Sequence, residues 1–160
     1  MAREFLSDLD KQIISILIED ASITNLELSK RVGISPSTCL TRTNRLKEDG
    51  VIKQIVAVID EEAVGMEFMA FTEVTLTPPT RKTAEKFVKH INPLSNVLEC
   101  YNISGDSDFL LKVVAKNASE FRNFVLDELM SLEGIGKIST SVVLCVEKCK
   151  FSFSEFKKDT

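Results

Sequence analysis

The sequence predicts an α+β chain in two unlike parts. Three short helices come first, then a domain with the order β-α-β-β-α-β of the split βαβ, ferredoxin-like arrangement. Up to Gly50, apolar residues recur at helical spacing between capping signals. From Val51 onward, runs of β-branched and aromatic residues alternate with two amphipathic helix patterns. Composition sets the scale: 160 residues at 44% apolar content are enough for a packed core, in one domain or two small ones.

The elements follow in order. Leu9, Ile13, Ile16 and Leu17 share a helical face after Ser7, an N-cap with Asp10 three residues on. A second helix begins at Thr24, where "TNLE" has the Thr-x-x-Glu form of a capping box, and ends near "VGI". Gly33 there suits left-handed backbone. The third helix starts in "SPST". Ser35 caps free N–H groups, and Pro36 takes the first helical position, where its missing N–H costs nothing. "EDG" at 48–50 closes it.

Past residue 50, "VIKQIVAVID" and "EFMAFTEVTL" read as strand-forming, and "TPPT" stops the second. Ala84, Phe87, Val88 and Ile91 mark a helix face. "NVLECYNIS" and "DFLLKVVAK" form a hairpin around "GDS". Phe121, Phe124, Val125, Leu129 and Leu132 mark a second helix, ended by "EGIG", and "KISTSVVLCVEKCK" is a last long strand. The expected organisation is residues 1–50 as one domain, 51–65 as hinge strand and linker, 66–150 as an αβ sandwich and 151–160 as a tail. Several strands are apolar on both alternations, yet two helices cover only one face of a four-stranded sheet. The uncovered face predicts a homodimer.

Charge points to a partner for the first part. The net charge is −4, with 20 basic and 24 acidic side chains. Yet Lys30–Lys47 holds five basic residues and no acidic one. Three short helices with a glycine turn between the second and third describe a helix-turn-helix, whose third helix lies in the major groove of double-stranded DNA. On that helix Cys39, Leu40, Thr43 and Leu46 are expected inward. Ser37, Thr38, Thr41, Arg42 and Arg45 are expected outward, as hydroxyls and guanidinium forks for phosphate or base edges. Lys30 and Arg31 would flank the groove, and Ser35 lies at the helix start.

The hairpin tip "SGDSD", Ser104–Asp108, combines a tight backbone at Gly105 with N–H groups able to hold a carboxylate. Asp106 and Asp108 are then placed to accept an ammonium, so the turn suits a zwitterionic amino acid; a plain turn is the alternative. It lacks the downstream ligands of a calcium loop, and no metal or other cofactor is expected. Cys145 and Cys149, if on one strand, stand about 13 Å apart, too far for a disulfide or a shared zinc. Cys39 reads as core. His90 is the lone histidine, without a nucleophile or base at useful spacing, so no enzyme is expected. The charged opening "MAREFLSDLD" is not a secretory signal, and no apolar run is long enough to span a membrane. The expected location is the cytoplasm, at the nucleoid.

The runs "LDKQIISIL", "TNLELSKRVGISPSTCLTRTNRLKEDGVI" and "ECYNISGDSDFLLKV" resemble the Lrp/AsnC, or feast/famine, transcription regulators, nearest the leucine-responsive branch. The resemblance runs through essentially the whole chain. It implies a winged helix-turn-helix, a hinge strand and an effector-binding αβ sandwich. It also implies dimers, commonly assembled to octamers, with an amino acid bound between dimers; an apolar slot left by Ala118, Val142 and Val143 makes leucine or methionine the expected effector. By the same carry-over Asn102, Gly105, Asp106, Ser107, Asp108, Ala118, Ser141, Val142 and Val143 lie near the effector or its interface. Thr43 and Asn44 depart from the usual branched apolar and basic residues, and Ser141 replaces an aromatic one. The alternative is an amino-acid sensor or DNA-compacting protein without a specific regulon.

Overall fold

The structure, a computed structural model, describes residues 6–150; the expected tail at 151–160 lies outside them. The chain divides into two compact units, with boundaries at Ala57/Val58 and Glu147/Lys148.

The first unit holds α1 (Asp8–Glu19), α2 (Asn25–Val32) and α3 (Pro36–Glu48). Each start is fixed by a side chain that accepts from a free backbone N–H: Ser7 from Asp10, Thr24 from Glu27 and Ser35 from Thr38. Gly33 takes φ 76° after α2, which turns the chain sharply enough for α3 to pack back. Ile13, Ile14, Leu28, Val32, Cys39 and Leu46 close the core between the three helices.

The second unit is a four-stranded antiparallel sheet in the order β2-β3-β1-β4. Its strands are β1 (Phe68–Leu76), β2 (Val97–Asn102), β3 (Phe109–Ala115) and β4 (Ile135–Val142). Helices α4 (Arg81–Ile91) and α5 (Ala118–Phe124) supply Phe87, Ile91, Phe121 and Phe124 to the core against one face. Alternate β1 residues Ala70, Val74 and Leu76 point into this core, as do Phe109, Leu111 and Val113 of β3. The order β-α-β-β-α-β is the expected one.

Three expectations need correction. The run "VIKQIVAVID" forms no strand: residues 53–60 have no ladder partner, and Ile55, Val56, Val58 and Ile59 remain exposed. Apolar alternation marks a segment able to pair, but pairing needs a second strand, and neither sheet edge takes it up. The last strand ends at Val142, not Lys150, where its ladder with β1 stops at the Ala70–Val142 pair, two residues from the end of β1. One further bond, Val143 N–H to the Met69 carbonyl, carries the pairing a residue on. The second helix is short and passes into a π turn over Val125–Leu129, closed by the Met130 N–H on the Val125 carbonyl at 2.8 Å.

Candidate nucleic-acid interface and effector turn

The N-terminal half of α3 is a cluster of hydroxyls. Ser35 Oγ lies 3.0 Å from Ser37 Oγ and 2.8 Å from Thr38 Oγ1, while the Thr38 N–H donates to it. Asn25 ties the helix start to α2 by donating to the Pro36 carbonyl at 2.9 Å. Thr41 donates to the Ser37 carbonyl and Thr43 to the Cys39 carbonyl, so both hydroxyl protons serve the helix itself. Ser37, Thr38 and Thr41 are exposed, as expected. Lys30 and Arg31 are exposed at the end of α2, with Arg31 3.6 Å from Glu27.

Two residues of α3 do not sit as expected. Arg42, expected outward, turns back toward α1. Its Nη1 lies 3.0 Å from Asp10 Oδ1 and donates to the Ser7 hydroxyl at 3.2 Å, leaving the side chain 33% exposed. Burial works to raise the Asp10 carboxyl. Hydrogen bonds from the Ser7 hydroxyl and Arg42 outweigh it, with smaller help from the Ser7 N–H and the Arg42 charge, and hold it below its ordinary value. Leu40, expected inward, is 50% exposed. The reason is angular. Cys39 and Leu46 define the buried line, and at about 100° per residue Arg42 falls beside it while Leu40 does not. The outward stripe is therefore Ser37, Leu40, Thr41 and Asn44, with Arg45 on its flank, paired at 3.4 Å with Asp49. Asn44 was missing from the sequence-derived set, although its seven-residue spacing from Ser37 places it on that stripe.

The turn between β2 and β3 is bolted to the end of β1. Asp108 Oδ2 accepts the Leu76 N–H at 2.7 Å, and the Asp108 N–H donates to the Val74 carbonyl. Ser107 donates to Glu73 at 2.8 Å, Thr75 to the Asp106 carbonyl at 3.3 Å, and Asn102 to the Asp108 carbonyl at 2.9 Å. Gly105 has φ 141°, a conformation side chains rarely adopt. Among the described residues, the N–H groups of Gly105, Asp106 and Ser107 make no hydrogen bond.

The remaining expected effector residues lie at the other end of the sheet. Ser141 pairs with Phe71 and Val142 with Ala70, whereas the turn meets β1 at Val74–Leu76. Five residues of strand, about 17 Å, separate Ala70 from Thr75. Exposed Ala118 follows β3 at the end where Ala115 pairs with Phe68. Ser141 and Val142 also point to opposite faces. Within one chain, therefore, the turn and the set Ala118, Ser141, Val142 and Val143 are not brought together.

A capped helix-turn-helix with no acid from Lys30 to Lys47, on the same chain as a ferredoxin-like sheet, is the arrangement of a DNA-binding transcriptional regulator. It is not an enzyme. Residues 6–53 match a winged helix-turn-helix DNA-binding domain, and residues 69–157 match the Lrp/AsnC ligand binding domain. The chain belongs to the Lrp/AsnC family of regulators. It is 44% identical over 143 residues to the transcriptional regulator AzlB of Bacillus subtilis, covering 89% of this chain and 91% of that protein. It is 34% identical over 139 residues to the leucine-responsive regulatory protein of Escherichia coli, covering 87% and 85%. A Neisseria meningitidis transcriptional regulator solved in complex with L-Met superposes with TM-score 0.87 at 33% identity, covering 93% of this chain and 96% of that one.

Proposed function

We propose that this regulator binds specific double-stranded DNA through α3 and adjusts that binding with a small apolar amino acid, leucine or methionine. The observation that carries the DNA reading is the outward stripe of α3, rich in hydroxyls and amide, between Lys30, Arg31 and Arg45 and free of acids from Lys30 to Lys47. The effector reading rests on the turn. Three unbonded backbone N–H groups beside Asp106 and Asp108 offer complementary partners to a carboxylate and an ammonium. The L-Met complex of the meningococcal neighbour and the leucine-responsive relatives favour an apolar side chain.

The effector lies between dimers in this reading. A ligand that touches both the turn and Ala118 or Ser141–Val143 spans two ends of a sheet within one chain, so a second copy must bring them together. The dimer forms on the sheet face opposite the helices, where Phe71 and Tyr101 are 38% and 50% exposed, and dimers assemble to an octamer in the cytoplasm at the nucleoid. Gel shifts on genomic fragments, with and without each of the twenty amino acids, test the whole reading. Binding that changes with leucine or methionine and no polar amino acid is expected, together with a change in sedimentation, because the two equilibria are linked. No retarded fragment at any concentration would refute the DNA function; retardation indifferent to every amino acid would refute the effector.

A further inference from the structure

We propose that Asn44, with Leu40 one turn before it, reads an A·T base pair in each half-site, and that these side chains rather than an arginine set the base preference of α3. The inference rests on α3 lying in the major groove. The other candidates on the outward stripe or its flank already have partners within the chain, apart from Lys47 in the last turn, a donor-only ammonium that suits phosphate or guanine rather than adenine. Arg42 is held by Asp10 and Ser7. Arg45 pairs with Asp49 toward the C-terminal end of the helix. Ser37 and Thr38 each hydrogen-bond the Ser35 hydroxyl, and Thr41 spends its proton on the Ser37 carbonyl.

Asn44 differs. It is exposed, and its amide makes no hydrogen bond among the described residues. A carboxamide presents a donor and an acceptor side by side, which matches adenine N7 and N6–H2. Guanine offers two acceptors at the same edge, so the Asn oxygen would face another oxygen. Leu40 stands four residues before Asn44, and neighbours at that spacing lie about 5–6 Å apart. A half-exposed leucine alone is ordinary. Beside an adenine-reading amide, however, its partner in the groove is the thymine C5 methyl, which cytosine lacks.

The test uses the full-length protein, duplexes selected from a random pool, and single-base variants of the recovered site in gel shifts. Wild type is expected to prefer A·T over G·C by on the order of tenfold at one position per half-site. Asn44→Ala should lose that preference. Replacing the thymine by uracil should weaken wild type but leave Leu40→Ala unaffected. Both side chains are exposed, so both variants should melt like wild type. If both keep the wild-type base profile while Ser37→Glu abolishes binding, α3 is in the groove but the base-reading assignment is wrong. An equal loss on every sequence for Asn44→Ala makes it a backbone contact and also overturns the inference. If Ser37→Glu binds DNA like wild type, the groove placement itself fails.

Discussion

Asp108 serves the fold, whatever it does for a ligand. Its carboxylate satisfies the N–H of buried Leu76, so Asp108→Ala orphans a buried donor at an expected cost of about 1–3 kcal/mol, read as a lower urea midpoint. Asp108→Asn keeps a carbonyl acceptor and should retain most of that stability. If the charge orients an ammonium, the same variant loses amino-acid binding in calorimetry. Wild-type affinity in Asp108→Asn would move the ammonium to Asp106 or elsewhere. Asp10 makes a parallel case in the first unit. Its folded carboxyl titrates below its ordinary value of 3.8, so its stabilising effect is complete above that pH and is lost as acidification passes the lower folded value. Asp10→Asn should therefore flatten the acid limb of helical-unit stability, while leaving Arg42 free of its ion pair. An unchanged acid limb would show that the Asp10–Arg42 tie does not matter to folding.

At the scale of elements, the end of β1 is where the sheet is most constrained. The pairing register of β1 with β4 shifts between Thr75 and Leu76, beside the Leu76 N–H that Asp108 holds. Across that irregularity Gly136 approaches so closely that an added Cβ would lie 2.2 Å from Thr77 Oγ1 and 3.2 Å from the Thr75 carbonyl. Gly136→Ala must push β4 or Thr77 aside, and a loss of about 1–3 kcal/mol is expected in chemical denaturation. A neutral result would mean the Thr77 side chain simply rotates away. The start of α3 is the matching point in the first unit, since Ser35 both caps the helix and orders Ser37 and Thr38. Ser35→Ala should lower the stability of that unit by about 1 kcal/mol, measurable as a reduced melting temperature.

For the whole molecule, one sheet face is covered by α4 and α5 and the other is not. Phe71 and Tyr101 stand on the uncovered side because their strand neighbours Ala70, Thr72 and Cys100 point toward the helices. If a second copy covers that face, Phe71→Asp places a charge in the interface. Light scattering should then report the mass of a monomer, and affinity for a two-fold operator should fall with it. Wild-type mass would take the uncovered face out of the assembly.

Helix starts, the glycine turn and the strand order were legible in the sequence because each is written in local chemistry. Ser7, Thr24 and Ser35 cap through neighbours three residues away, and alternation along β1 and β3 encodes which side meets the helices. Cys145 and Cys149 are exposed free thiols that lie beyond the end of β4 rather than on the last strand, so their spacing along a strand does not apply. What only tertiary structure decided depends on groups far apart in the chain. A strand pattern at residues 51–60 cannot say whether a partner strand will be there. Nor can the spacing within α3 say that Arg42 will be claimed by Asp10, 32 residues earlier, leaving Leu40 and Asn44 on the outside. The separation of the β2–β3 turn from Ser141–Val143 likewise follows from antiparallel pairing. Periodicity fixes which way a residue faces, whereas register across β1 fixes at which end of the sheet it stands.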